Sequence, residues 1–238
     1  MPNKRPYCLT IAGFDPSGGA GILADIKTYE QHRCQGLAVV TANTIQTEDS
    51  FEKTEWVTED TILLQLKTLM SRYKVRFFKI GLIESGEMLE EVLQVIHANC
   101  DAPTIIWDPI IGATVGGEFD KNRFSIFLKE NKFADLIITP NLPEYESLGL
   151  KSSANLVYLK GGHSIKKGHD VLFWKGNQYP FAPKIKTDFQ KHGTGCIFSS
   201  ALLSNLALDY PMIKSCLRAK RYVEKRIVSN PSLLAWHK

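Results

Sequence analysis

The sequence predicts an α/β protein: a mostly parallel central sheet with helices on both faces. Three observations predict it. Short apolar runs alternate with amphipathic stretches along the chain. The apolar runs are continuous rather than alternating, as strands buried on both faces must be. The polar and glycine-rich motifs fall just after those runs, at the rim where open α/β sheets bind ligands.

The elements follow in order. Tyr7 to Ala12 reads as a short buried strand, closed by a glycine-rich turn from Gly13 to Gly21. Ile22 to His32 reads as a helix and Gly36 to Ala42 as the next strand. Ile62, Leu63, Leu66, Leu69 and Met70 recur at helical spacing, and Thr58, Glu59 and Asp60 supply the start of that helix. No lid insertion is expected between Gly36 and Trp56. Phe77 to Gly81 is a strand, Met88 to Ala98 a helix, and Thr104 to Asp108 a strand ending on a carboxylate. Asn122 to Glu130 is predicted helical, and Leu136 to Asn141 and Leu156 to Lys160 are predicted strands. Asp170 to Trp174 and Gln178 to Phe181 form a hairpin about Lys175-Gly176-Asn177, and two or three helices close the chain.

At 238 residues, with no linker or repeat, residues 1–238 are expected to form one domain. A 44% apolar and 23% charged composition is that of a soluble globular protein. The net charge of +4 allows a patch for an anionic ligand. No basic stripe argues for nucleic acid; Lys214, Arg218, Lys220, Arg221, Lys225 and Arg226 read as the solvated face of a helix. No apolar run approaches the ~20 residues that span a bilayer, so no membrane association is expected. No secretory signal is read at the start. The five cysteines are odd in number and lack metal-ligand spacing, so free thiols in a reducing cytoplasm are expected.

The densest motif is Lys191-His192-Gly193-Thr194-Gly195-Cys196, which runs into the apolar pattern Ile197 to Leu203. On these residues alone two readings stand. One is an anion hole made by two glycines and the unpaired N–H groups of a helix start; a Cys196 thiol in that field is expected to have a lowered pKa. The other is an ordinary loop-to-helix turn with a small buried cysteine. His192 and Cys196 as a nucleophilic pair have no third orienting residue. Asp108, Asn141 and Glu144 suit hydrated Mg2+, although singly Asn141 reads as an N-cap and Glu144 as a first-turn acid. Lys160 can neutralise phosphates as a point charge, or lie on the surface at a strand end. Gln46 offers an amide donor and acceptor to a heteroaromatic ring, and reads equally as a loop residue. There is no Walker A motif, because Gly13-x-x-x-x-Gly18 is followed by Gly19-Ala20, and no Gly-x-Gly-x-x-Gly follows the first strand.

Six motifs in one order carry a resemblance that spans nearly the whole chain: Ala12 to Asp25, Lys79-Ile-Gly-Leu82, Asp108-Pro109, Thr139 to Glu144, Lys160-Gly-Gly-His163 and His192-Gly-Thr-Gly-Cys196. The chain resembles the ribokinase superfamily and, within it, the hydroxymethylpyrimidine and phosphomethylpyrimidine kinases of thiamine synthesis. The tail Ser229 to His237 resembles that of some of these kinases. The resemblance implies a ribokinase-like fold and ATP-dependent phosphorylation of 4-amino-5-hydroxymethyl-2-methylpyrimidine and of its monophosphate. Gly13, Asp25, Gln46, Leu82 and Ile110 would line the pyrimidine pocket. Asp108, Asn141 and Glu144 would serve Mg2+ and the phosphates. Lys160, Gly193 and Thr194 would serve the nucleotide. Gly193, Gly195 and the Cys196 N–H would form the anion hole, with Cys196 as proton acceptor where sugar kinases of the superfamily carry an Asp. A homodimer is also implied. The same features fit a pyridoxal or pyridoxine kinase of the superfamily, or a non-catalytic binder retaining the fold. Two stretches depart from the pattern. Ile110 to Gly117 replaces the usual small residue, Lys or Thr, then Ser-Gly. The fifteen residues between Glu144 and Lys160 leave room for a turn or two of helix where the family carries a full one.

Overall fold

The computed structural model describes residues 5–110, 124, 136–150, 156–163 and 168–238. Its strands are β1 (Tyr7–Phe14), β2 (Gln35–Gln46), β3 (Phe51–Trp56), β4 (Phe77–Ile80), β5 (Thr104–Trp107), β6 (Ile137–Ile138), β7 (Leu156–Leu159), β8 (Asp170–Trp174) and β9 (Asn177–Phe181). They form one sheet in the order β3-β2-β1-β4-β5-β6-β7-β8-β9. Pairing is parallel from β2 through β7, and antiparallel where β3, β8 and β9 join. The α/β prediction holds.

Successive residues of the central strands point to opposite faces and into two different cores. Leu9, Ile11, Phe78, Ile80, Ile105 and Trp107 face α2 (Glu59–Arg72) and α3 (Gly86–Asn99), meeting Leu66, Leu89, Leu93 and Ile96. Cys8, Ile106 and Tyr158 face the other way, against Tyr29 of α1 (Gly21–Gln31), Phe198 and Leu202 of α5 (Thr194–Ala207), and Cys216 and Ala219 of α6 (Met212–Ile227). α3 starts where the Ser85 hydroxyl accepts from the Met88 N–H. α5 is buried on nearly every side because sheet, α1 and α6 enclose it. Among the described residues no helix is long and apolar enough to cross a membrane.

One expectation is corrected. β2 does not stop near Ala42; it continues to Gln46, and Ala42 to Gln46 pair with β3. β1 ends opposite Asn43, so this hairpin projects past the central rim. β3 reads Phe-Glu-Lys-Thr-Glu-Trp and carries no apolar run, because an edge strand has little to bury. After Glu144, α4 (Leu142–Ser147) runs only as far as Ser147. The predicted helix 122–130, apart from Phe124, the loop 111–117 and residues 151–155 lie outside the described residues.

The rim rests on a charged pair inside the apolar layers. Lys79 of β4 donates to Asp25 of α1 at 2.6 Å, and both side chains are fully buried. Thr10 and Ser200 donate to the same carboxylate at 2.6 and 2.7 Å. Removing one member strands the other charge, which costs about 3–5 kcal/mol. Lys79→Met should therefore lower the unfolding free energy in urea by about that amount. A loss under about 1 kcal/mol would contradict it.

Candidate active site

Asp108 follows β5 and is almost completely buried. Burial alone would raise its pKa, but the Lys160 and Lys79 charges and hydrogen bonds from Lys160 and Ser199 hold it below the usual carboxylate value. Oδ1 accepts from the Lys160 ammonium at 2.7 Å and from the Thr139 hydroxyl at 3.1 Å. Oδ2 accepts from Ser199 of α5 at 3.1 Å. The donors come from the ends of β6 and β7 and from the first turns of α5, so one carboxylate gathers three elements.

Lys160 Nζ also stands 4.0 Å from Glu144 Oε2. Burial works against its charge, yet Asp108 and Glu144 raise its pKa. Asn141 and Glu144 form a reciprocal cap on α4: the Glu144 N–H donates to Asn141 Oδ1 at 2.9 Å, and the Asn141 N–H to Glu144 Oε2 at 2.7 Å. The Asn141 carbonyl oxygen is thus committed to the helix, as the capping reading of the sequence had it. Burial pushes the Glu144 carboxyl up to about 7, Asp108 adds to the rise and Lys160 opposes it.

α5 begins against this cluster. A Cβ on Gly195 would lie 3.1 Å from Lys160 Nζ and 3.7 Å from Asp108 Oδ2. Gly193, the N-cap, has φ +73° and passes so close to Gly19 that a Cβ would collide with the Gly19 carbonyl. The first helical N–H bond comes from Ile197 to Gly193 O, which leaves the N–H groups of Thr194, Gly195 and Cys196 directed outward as a helix start requires. Both glycine loops are locked together, since His192 Nε2 lies 2.8 Å from Asp15 Oδ2. Burial would raise the Asp15 carboxyl, but bonds from His192, Ser17 and Ala20 keep it low. His192 therefore serves the loop and does not pair with Cys196.

These features converge with the comparisons to known proteins. A model of the phosphomethylpyrimidine kinase family matches residues 15–238. The chain belongs to that family. It is 33% identical over 246 residues to a hydroxymethylpyrimidine/phosphomethylpyrimidine kinase of Aquifex aeolicus, covering 94% of this chain and 95% of the relative. A phosphomethylpyrimidine kinase structure from Clostridium difficile superposes with a TM-score of 0.77 at 28% identity, over 94% of this chain and 100% of that one. A pyridoxal kinase from Staphylococcus aureus in complex with ADP superposes at 0.82 with 23% identity, over 94% and 89%, a likeness of fold.

For this phosphomethylpyrimidine kinase family member, most predicted site residues do meet. Asp108, Asn141, Glu144, Lys160 and Gly193 to Cys196 share the rim. Ile110 packs on the small cluster that contains Cys196. Gly13 abuts Leu82, whose Cδ2 would be 2.8 Å from a Cβ there. Gln46 stands on the projecting end of β2. Asp25 differs from expectation: it lies below the rim with no exposed surface, and its oxygens are taken by Thr10, Lys79 and Ser200. Cys196 is corrected too. Burial, with the Asp25 and Asp108 charges, pushes its thiol up to about 11, against the pull of Lys79 and the Gly21 N–H. The pairing of Lys79 with Asp25, the part of Ser199 and the Asp15–His192 contact escaped the sequence reading. Only Lys79 carried a signal, as a lysine inside an apolar strand; the other two involve residues 91 and 177 apart.

Glu144 has a folded pKa above its unfolded value. Its contribution to stability is complete below about pH 4.5 and is lost as pH rises through about 7. A glutamine keeps the cap without the charge. Metal-free Glu144→Gln should match the parent near pH 5 and exceed it by on the order of 2 kcal/mol at pH 8 in urea melts. Equal stabilities at both pH values would refute the raised pKa.

Proposed function

We propose that this chain phosphorylates the hydroxymethyl group of 4-amino-5-hydroxymethyl-2-methylpyrimidine, and then its monophosphate, with ATP. One observation supports the site most directly: the part-buried Lys160 ammonium has the Asp108 carboxylate at 2.7 Å and Glu144 at 4.0 Å, and a Cβ on Gly195, at the open start of a 14-residue helix, would lie 3.1 Å from it. Phosphoryl transfer needs just such positioning and charge stabilisation. Lys160 neutralises nucleotide phosphates as a point charge. The N–H groups of Thr194, Gly195 and Cys196 receive the transferring group, and Gly195 lets it approach because no Cβ stands there. Gly13, Leu82 and Ile110 supply the apolar wall for the pyrimidine ring, with Gln46 overhanging it and Asp25 supporting it from below.

Asp108 and Glu144 place hard oxygens 2.7 and 4.0 Å from Lys160 Nζ, a donor set that would fit Mg2+ carried in with phosphates. Magnesium there supplies charge neutralisation for the phosphoryl oxygens. Asn141 acts through the cap that holds Glu144. The new bond joins the hydroxymethyl oxygen to the γ-phosphorus, the bond from that phosphorus to the β–γ bridging oxygen breaks, and ADP leaves with the electron pair. The hydroxyl proton goes to Cys196. In the ligand-free protein Cys196 is a thiol, held so by burial and by the Asp25 and Asp108 charges; covering those charges in the loaded site lets the thiol give its own proton to solvent, and the thiolate so formed accepts the hydroxyl proton. The family resemblance also implies a homodimer, and the five unpaired thiols, all free in the structure, favour a reducing cytoplasm.

Turnover should be measured with hydroxymethylpyrimidine, its monophosphate and pyridoxal side by side. Both pyrimidines should be consumed faster than pyridoxal; faster pyridoxal phosphorylation would make this a pyridoxal kinase, and no ATP consumption with any of them would leave a non-catalytic binder. Cys196→Ser should reduce kcat about a hundredfold or more while KM for ATP stays within about twofold. Near-normal turnover would remove Cys196 from proton transfer.

A further inference from the structure

Behind Lys160 lies a second buried ionic group that the proposed reaction does not touch. Asp170 opens β8, beside the end of β7. Its Oδ1 accepts from the Gly161 N–H at 2.7 Å. Its Oδ2 accepts from the Tyr158 hydroxyl at 2.7 Å and from the Lys220 ammonium of α6 at 2.7 Å. Lys220 donates also to the Gly168 carbonyl at 2.6 Å, and the Gly168 N–H donates to Gly161 O at 2.9 Å. All three side chains are buried. Burial, reinforced by Asp170, raises the Tyr158 phenol, which keeps it a donor.

This arrangement is more than a strand end requires. A backbone carbonyl would satisfy the Gly161 N–H. A carboxylate in that place needs a counter-charge, and a buried ion pair adds little net stability once desolvation is counted. What it does supply is a charged hydrogen bond of fixed direction. That bond falls on the residue after Lys160. On the other side, the Lys160 N–H donates to Pro140 O at 2.8 Å. Lys160 is therefore clamped between β6 and the Asp170 group. Gly161 packs so closely on His169 that a Cβ there would collide with the His169 carbonyl.

We propose that Asp170, neutralised by Lys220 and oriented by Tyr158, is a positioning residue that aims Lys160 at the phosphates of the nucleotide. The proposal rests on the nucleotide role given to Lys160 above. It makes the start of β8 and the middle of α6 part of the nucleotide machinery, although neither touches the nucleotide.

A double-mutant cycle on the full-length enzyme tests it, with KM for ATP and KM for the pyrimidine read separately. Asp170→Asn should raise KM for ATP about tenfold and leave KM for the pyrimidine unchanged. In a Lys160→Ala background the same change should alter KM for ATP by less than about twofold, because no aimed ammonium remains. Tyr158→Phe keeps the ring against Phe181 and Phe198 and should give a smaller rise in the same parameter. It carries the test if Asp170→Asn does not fold. Independent, multiplicative effects of Asp170→Asn and Lys160→Ala would reduce Asp170 to a purely structural residue, and so would equal rises in both KM values. If Lys160→Ala alone leaves KM for ATP unchanged, the nucleotide role of Lys160 falls first, and the proposal with it.

Discussion

The ion pair between Asp108 and Lys160, 2.7 Å long, holds the rim together. A carboxylate buried this deeply must be matched by donors. It finds them on three separate elements: Thr139 after β6, Lys160 after β7 and Ser199 in α5. Meeting that single demand brings the carboxyl ends of the parallel strands up to the start of α5. It also explains why Gly195 carries no side chain, since a Cβ would crowd the pair. The glycine loops then follow, with His192 tying Gly193 and its neighbours to Asp15 in the first loop.

Charge is apportioned in layers around that pair. Lys79 answers Asp25 below the rim, and Lys160 answers Asp108 on it. Two lysines are spent on two carboxylates. The remaining acids of the site, Glu144 and Cys196, are both pushed up, to about 7 and about 11. The ligand-free site thus holds little uncompensated charge. A polyphosphate brings several negative charges at once, which accounts for hard oxygens and an unpartnered helix start facing the same space. The cysteine shows the limit of local reasoning about a helix terminus. The dipole does favour a thiolate, but burial and two nearby carboxylates outweigh it.

Much of this protein is legible along the chain. Continuous apolar strands between amphipathic helices determine a doubly covered parallel sheet, because only that arrangement buries both faces of each strand. The motifs at strand ends determine which residues reach the rim, because strand direction is shared. The capping box of Asn141 and Glu144 is local, and its three-residue spacing shows it directly. The tertiary structure alone decided the β2–β3 extension, since an edge strand of charged residues has no apolar signature. It also decided which acids are paired and which are protonated. Lys79 and Asp25 are 54 residues apart, Lys160 and Asp108 are 52, and Lys220 and Asp170 are 50. Protonation and charge matching depend on burial and on neighbours brought from distant parts of the chain, and no local spacing encodes either.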